Sequence, residues 1–372
     1  MKVDAAATNN EAMVVSEKMI EHSKLVVQEV GRDISADWDA FIRQQPGGLP
    51  THLFGWREVM QNTYGYQARF LMALDSDQIV GVCPLFIVPS RLTGKRVMTM
   101  PGGMCAANDE AAAELLKRTA EIVEDEGLNR AVIQDSRQAW SKDWQIESEH
   151  VFWLLPLPET KDLLWSQLDG NIRRQVRKAR KNGLRTEIDR SGKLLPAFYE
   201  MFSHFTHQAG TPIFSYQFLA NVIRIFPGGF NIALVWHEDD ERPVAGYFQL
   251  EMGNTMYGMW GAALPESLKL RSAYLALWEI MSDAVDNGFM YLDMGRSPTS
   301  SNASKFKGQW GGTSAPVYQL STCEIGGLKG ETITNQVQSD QRFQLFIQLW
   351  PRLPYSLTIK LGPKLRWHIP FA

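Results

Sequence analysis

Hydrophobic and polar positions change period several times along the chain, and the changes come twice in one order. Residues 1–28 hold no sustained period and read as a disordered leader. Helical spacing over 34–45 and 54–64 is interrupted by Pro46-Gly47-Gly48. Residues 67–74 and 79–88 then read as strands either side of Asp75-Ser76-Asp77, and 96–100 as a third. A helix is predicted over 109–126, with Ala112, Leu115, Leu116, Ala120 and Val123 on one face and Gly127 at its end. A strand over 130–134 closes the series. The second series starts with helices over 194–207 and 216–226, broken by Pro227-Gly228-Gly229. Strands over 230–236, 244–252 and 255–260 follow, the last two joined by the hairpin signal Gly253-Asn254. A helix over 268–285 ends at Asn287-Gly288, and a strand over 291–294 completes it.

The two series are offset by roughly 160 residues, far more than the repeat of a solenoid. A meander of antiparallel strands followed by a helix and a further strand is the layout of the acetyltransferase (GNAT) fold. It is not the strict strand–helix alternation of a doubly wound sheet. The prediction is therefore an α+β chain of tandem GNAT-like domains, with mixed, mainly antiparallel sheets flanked by helices. The boundaries read from the sequence are 29–155 and 156–330, with a basic linker helix over 171–185 and a C-terminal tail over 331–372.

Composition narrows the picture only a little. With 372 residues, of which 44% are hydrophobic and 21% charged, the chain exceeds one core and is neither disordered nor collagen-like. A net charge of −3 excludes a polycation, so DNA is not an expected partner, and any anionic partner must meet a local patch. Cys83, Cys105 and Cys323 are scattered, without a CxxC pair, which argues against zinc or a disulfide framework and for a reducing compartment. With no apolar run of about 18 residues and no signal-peptide pattern, a cytoplasmic location is expected.

Such a patch lies between the two series. Residues 171–185 hold seven basic side chains and no acid; Arg173, Arg177, Arg180 and Lys181 share a helical face, with Arg174 and Lys178 beside it. The run suits a phosphate-bearing partner, or is simply a solvated face. A second constellation follows the last strand: Asp293-Met294-Gly295-Arg296-Ser297, then Phe306-Lys307 and Trp310-Gly311. Lys307 or Arg296 would stabilise charge on a carbonyl oxygen or hold a phosphate, while Phe306 and Trp310 plug the core. The loop before the second helix of this pattern lacks the glycine-rich acyl-CoA signature, yet its amides, near Arg271, could meet phosphate. Tyr257 and Trp260, on the preceding strand, join Arg271, Arg296, Arg173, Arg174, Arg177 and Lys178 as candidate substrate-binding residues. The tail, with Arg352, Lys360, Lys364 and Arg366 among aromatic residues and no acid in its last 32 positions, suits peripheral membrane contact or packing on the second domain.

The basic run over 173–184, the segment Gly210-Thr211-Pro212-Ile213-Phe214, the Asp293–Ser297 strand end and the Phe306-Lys307-x-x-Trp310-Gly311 element together resemble FemAB-like acyltransferases. The tail over 345–354 is most similar to the FemAB-related proteins of PEP-CTERM/exosortase and exopolysaccharide systems. The resemblance runs from about Trp38 to Pro363 and implies a tandem GNAT-like fold. It implies Phe306 and Lys307 as the Phe-Lys element at the donor end, with Lys307 stabilising charge. It further implies acyl-CoA or aminoacyl-tRNA as donor with no tightly bound cofactor, and a small or lipid-linked glycan or peptide acceptor. The long helical hairpin that some FemAB enzymes insert is lacking. Asp293 is the best side-chain candidate for a base, or it braces Arg296. The competing expectation is a non-catalytic GNAT-like binding protein for a phosphate-bearing polysaccharide or peptidoglycan intermediate.

Overall fold

The computed structural model describes residues 25–91, 94–141, 143–238, 241–322 and 341–370; Cys323 and most of the expected leader lie outside them. Among the described residues thirteen strands make one mixed sheet. The first repeat contributes β1 (Leu25–Glu29), α1 (Ser35–Gln44), α2 (Trp56–Tyr64), β2 (Gln67–Asp75), β3 (Gln78–Pro89), β4 (Lys95–Thr99), the short β5 (Cys105–Ala106), α3 (Asp109–Asp125), β6 (Arg130–Ser136) and β7 (Gln145–Pro156). Two helices, α4 (Lys161–Gln167) and α5 (Gly170–Lys181), connect it to the second repeat. That repeat runs β8 (Leu184–Asp189), α6 (Leu195–Gln208), α7 (Tyr216–Ile225), β9 (Phe230–His237), β10 (Ala245–Met252), β11 (Thr255–Ala263), α8 (Ser272–Asp286), β12 (Tyr291–Pro298), α9 (Asn302–Gly308) and β13 (Thr313–Ser321). The C-terminal pair is α10 (Gln341–Leu349) and α11 (Tyr355–Arg366).

The order across the sheet is β1-β2-β3-β4-β6-β13-β7-β12-β11-β10-β9-β8. Read from either edge, the two repeats follow the same course until the centre, where their last strands have changed places. β13 of the second repeat pairs with β6 of the first, and β7 of the first pairs with β12 of the second. β7 and β13 also pair with each other, so every strand at the centre has a neighbour from the other repeat.

Helices cover both faces. On one, α1, α2, α6 and α7 share an aromatic core, where Trp56 meets Phe218 and Phe226 from the other repeat at 6.2 and 5.3 Å between ring centroids. Burying side chains of this size is worth roughly 1.5–3 kcal/mol each, so the contact ties the repeats together. The other face carries two separate cores, one under α3 and one under α5 and α8. Cys83 and Cys105 are buried there and on the shared face, and burial pushes both thiols up to about 12.

Two differences from the sequence reading have simple causes, and the tail follows one of its two expected courses. Leu25–Glu29 is a strand and not the end of a leader: it pairs antiparallel with β2, with Leu25 and Val27 half-buried and Val26, Gln28 and Glu29 exposed at the sheet edge. The helix expected over 268–285 is split. Pro265–Leu270 forms a 3-10 turn, Arg271 takes a left-handed φ of 71°, and α8 starts at Ser272. The Ser267 hydroxyl, bonded to the Val244 carbonyl and the Ser272 hydroxyl, fixes that break. The tail packs on the protein. The Arg366 guanidinium is buried and donates to the Pro212 carbonyl at 2.8 Å, while Trp367 Nε1 donates to the Tyr64 carbonyl.

Candidate active site

Each repeat contains one parallel strand pair, and each pair separates after a few residues. β4 and β6 are paired only from Arg96–Arg130 to Met98–Val132, and β11 and β12 only from Thr255–Tyr291 to Tyr257–Asp293. Beyond those points the strands diverge, and both openings face one cavity of ≈ 330 Å³ at the centre of the molecule. Met100, Pro101 and Gly102 line it from the first opening, and Gly258, Met259 and Trp260 from the second. Phe202, Phe214 and Phe218 form an aromatic wall with Trp260, whose ring lies 5.7 and 5.4 Å from those of Phe214 and Phe218.

Beside Arg366, the charged groups of the cavity come as two reciprocal pairs. Asp293 of β12 is buried and accepts from Arg137, just past β6; Arg296 of β12 lies 2.8 Å from the Asp135 carboxylate of β6. Arg137 also lies over the Phe152 ring at 4.0 Å. Asp293 therefore braces Arg137 and not Arg296 as expected, because the strand bulge between them turns Arg296 toward the other repeat. Gly295 makes that bulge, with φ of 70°, and its N–H donates to Asp293 Oδ1 at 2.8 Å. A Cβ there would sit 2.6 Å from the Gly258 carbonyl, so the close approach of β11 requires glycine. In the first repeat Asp135 itself takes the left-handed conformation, with φ of 52°.

Lys307 does not line the cavity. It reaches β12 from the α8 side, donating from Nζ to the carbonyls of Gly295 at 3.0 Å and Arg296 at 3.1 Å. Burial pulls its ammonium down to about 8, an effect that the nearby Asp293 charge opposes. Phe306 is core: it packs edge-on against Tyr274 of α8 at 5.0 Å and against Trp310 at 6.0 Å. Tyr257 and Trp260 do line the cavity, and burial holds the Tyr257 phenol above its usual range.

The basic face of α5 stands apart. Ile172, Val176 and Ala179 bury its inner side, while Arg174, Arg177 and Lys178 are exposed and Arg173 half-buried. Arg177 lies 5.3 Å over the Trp165 ring and Arg174 donates to Asn171. None of these four lines the cavity. The C-terminal end of α5 does meet the turn before α8, where Asn182 donates to the Leu270 carbonyl.

The starts of the two equivalent helices differ in charge. At α3, the Asn108 side chain caps the Ala111 N–H at 2.8 Å, and Asp109 and Glu110 fill the first turn. At α8 there is no side-chain cap and no acid in the first turn; Arg271 precedes it, its Nε buried without a partner among the described residues. The positive end of a helix dipole is thus neutralised in the first repeat and left available to an anion in the second.

Asp135, Arg137 and the segment 49–52 are not among the candidates read from the sequence, and Arg366 enters there only as a cation of the tail. His52 holds that segment: Nδ1 accepts from Leu49 N–H at 3.1 Å, which leaves Nε2 to donate to the Gly102 carbonyl at 3.0 Å. Burial lowers this imidazole to about 4, so it is neutral. Thr51, beside it, lines the cavity with its hydroxyl buried and unpartnered among the described residues. Among the described residues no group of His, Cys, Asp or Glu side chains is arranged to hold a metal ion.

The acetyltransferase (GNAT) domain profile matches residues 166–308. No curated protein matches the sequence. Solved structures resemble it far more in shape than in sequence. The crystal structure of FemX superposes with a TM-score of 0.60 at 16% identity, covering 80% of this chain and 97% of FemX. L-PGS from Bacillus licheniformis gives 0.53 at 12% identity, over 85% of this chain and 98% of that one. A tandem GNAT protein from the clavulanic acid biosynthesis pathway gives 0.50 at 8% identity, over 81% and 100%. The protein has a tandem GNAT-like fold, and its second repeat carries the part that matches a GNAT-type acetyltransferase domain.

Proposed function

We propose that the protein is an acyl- or aminoacyltransferase whose donor binds at the second repeat and whose acceptor occupies the central cavity. The observation that carries this reading is the asymmetry of the two helix starts. A phosphate-bearing donor, acyl-CoA or the 3′ end of an aminoacyl-tRNA, is repelled by Asp109 and Glu110 but attracted by the acid-free start of α8 beside Arg271. From there the donor carbonyl would reach the gap where β11 and β12 part. An acceptor amine or hydroxyl attacks that carbonyl directly from the cavity, the tetrahedral oxyanion is stabilised by the Lys307 ammonium, and the thiol or tRNA hydroxyl departs with the proton balance made by solvent. Asp293 is engaged by Arg137, which suits a positioning part better than that of a base.

The aromatic wall and the paired charges of the cavity suit an acceptor with an apolar or ring-shaped body and polar substituents. A cell-envelope or exopolysaccharide precursor, as in PEP-CTERM/exosortase systems, has that chemistry. The reading is tested by incubating the purified protein with labelled acetyl-CoA and, separately, with charged tRNA, over a range of salt. Transfer from either donor to a glycan or peptide amine supports it. A tRNA donor should show a steep negative salt slope that CoA lacks. Ligand-induced thermal shifts without transfer to any acceptor would leave a binding protein instead.

A further inference from the structure

The pair α10 and α11 presents two unlike sides. Its inner side is fitted to the second repeat. A Cβ on Gly210 would lie 2.4 Å from the Ile347 carbonyl, and one on Gly362 would lie 2.9 Å from the Ile213 carbonyl. Tyr355 stacks on His204 with ring centroids 3.9 Å apart, and Thr358 bonds His207 at 3.0 Å. Thr358, Gly362 and Arg366, at intervals of four, are the buried stripe of α11.

The outer side is different in kind. Leu357, Lys360 and Lys364 lie at i, i+3 and i+7, on the exposed side of α11. Leu345 and Leu349 share the exposed side of α10 with Gln348, and Arg352 follows in the turn. The three leucines are 54%, 44% and 41% exposed, so they contribute little to holding the helices down. No Asp or Glu occurs from Gln341 to Pro370. A chain of net charge −3 therefore concentrates cations and protruding leucines, without any compensating acid, on one docked helical pair.

We propose that this outer face docks on an anionic lipid bilayer. Leucines between lysines match a surface that offers negative headgroups with hydrocarbon just beneath them, whereas a nucleic acid backbone offers the charge alone. Among the described residues no helix is long and apolar enough to cross a membrane, so the contact is interfacial. The same pair runs on to Arg366 and Pro370, which line the central cavity. The proposal stands on this face and not on the acyltransferase reading.

Vesicle flotation of the full chain tests it without any turnover assay. The vesicles are phosphatidylcholine alone or with about a third phosphatidylglycerol, at low and physiological salt. We expect at least tenfold stronger partition to the anionic vesicles. We expect Lys360→Glu/Lys364→Glu to abolish that preference, and Leu345→Ser/Leu349→Ser/Leu357→Ser to weaken binding, each variant keeping the wild-type melting temperature within a few degrees. Free glycerol phosphate should not compete. Failure to partition, or surface variants that partition like the parent, would overturn the proposal. So would a dimer in solution that the leucine substitutions dissociate.

Discussion

The guanidinium of Arg296 in the second repeat and the carboxylate of Asp135 in the first lie 2.8 Å apart, and Arg137 and Asp293 form the same relationship with the repeats exchanged. Each repeat thus supplies the acid for the other repeat's arginine, beside a shared cavity. Breaking a fully buried pair costs about 3–5 kcal/mol, but the Arg296 side chain is 35% exposed, which reduces the figure. Asp135→Asn should cost about 1–3 kcal/mol in urea unfolding. A double-mutant cycle with Arg296→Gln should show coupling of about 1 kcal/mol; strict additivity would mean that this pair does not couple the repeats.

Lys307 connects the charge of the site to pH. With its ammonium lowered to about 8 by burial, catalysis that needs the charged form should fall as pH rises through 8. Stability should move the opposite way. The unfolded chain holds this proton up to about 10.5, so the burial penalty is fully present below 8 and is relieved between 8 and 10.5. Lys307→Ala should cut turnover by ~10²-fold or more, leave the circular dichroism spectrum unchanged and erase that limb of the pH–rate profile. A folded variant of near-normal activity refutes the role.

The start of α8 can be given the charge that α3 already has. Ala273→Asp should raise the apparent KM for a phosphate-bearing donor by about tenfold, while an acid in the first turn stabilises the helix by about 0.3–1 kcal/mol. Higher thermal stability with weaker donor binding is the expected combination. An unchanged KM would move the donor elsewhere.

His52 predicts acid sensitivity. Its imidazole is held near 4 when folded and titrates near 6.5 when unfolded, so stability is lost as pH falls through that interval, by about 3 kcal/mol in total. His52→Gln should be less stable at pH 7 and should lack this part of the slope when the two chains are compared by urea unfolding at pH 7 and pH 4.5.

Much of the repeat was legible because hairpins and amphipathic helices are local. The meander β2–β3–β4 and its counterpart β9–β10–β11 follow from alternation and turn residues within about thirty residues each. The strands β7, β8 and β13 were not anticipated. β7 is half-buried along most of its length and β8 is largely polar, so neither shows a clean period of two. β8 pairs with β9 at the sheet edge, while the partners of β7 and β13 lie across the centre, where sequence periodicity carries no information about pairing. The candidate site divides in the same way. Asp293, Arg296, Tyr257 and Trp260 were found from one strand end and its neighbour, and all four line the cavity. Asp135 and Arg137 escape the sequence pattern because its apolar run stops before Gln134, whereas β6 continues to Ser136. The signal was present: the strands equivalent by repeat end in Asp135-Ser136-Arg137 and Asp293-Met294-Gly295-Arg296, an acid followed closely by an arginine.

The exchange of β7 and β13 leaves neither repeat with a complete ladder of its own. Residues 166–308, the stretch with a recognisable relative, contain neither of those strands. Excised, that stretch would leave β12 with an open ladder edge where β7 belongs, and such edges recruit other chains. Each repeat therefore closes its half of the sheet only with a strand from the other, and the two should unfold in one cooperative step rather than in turn.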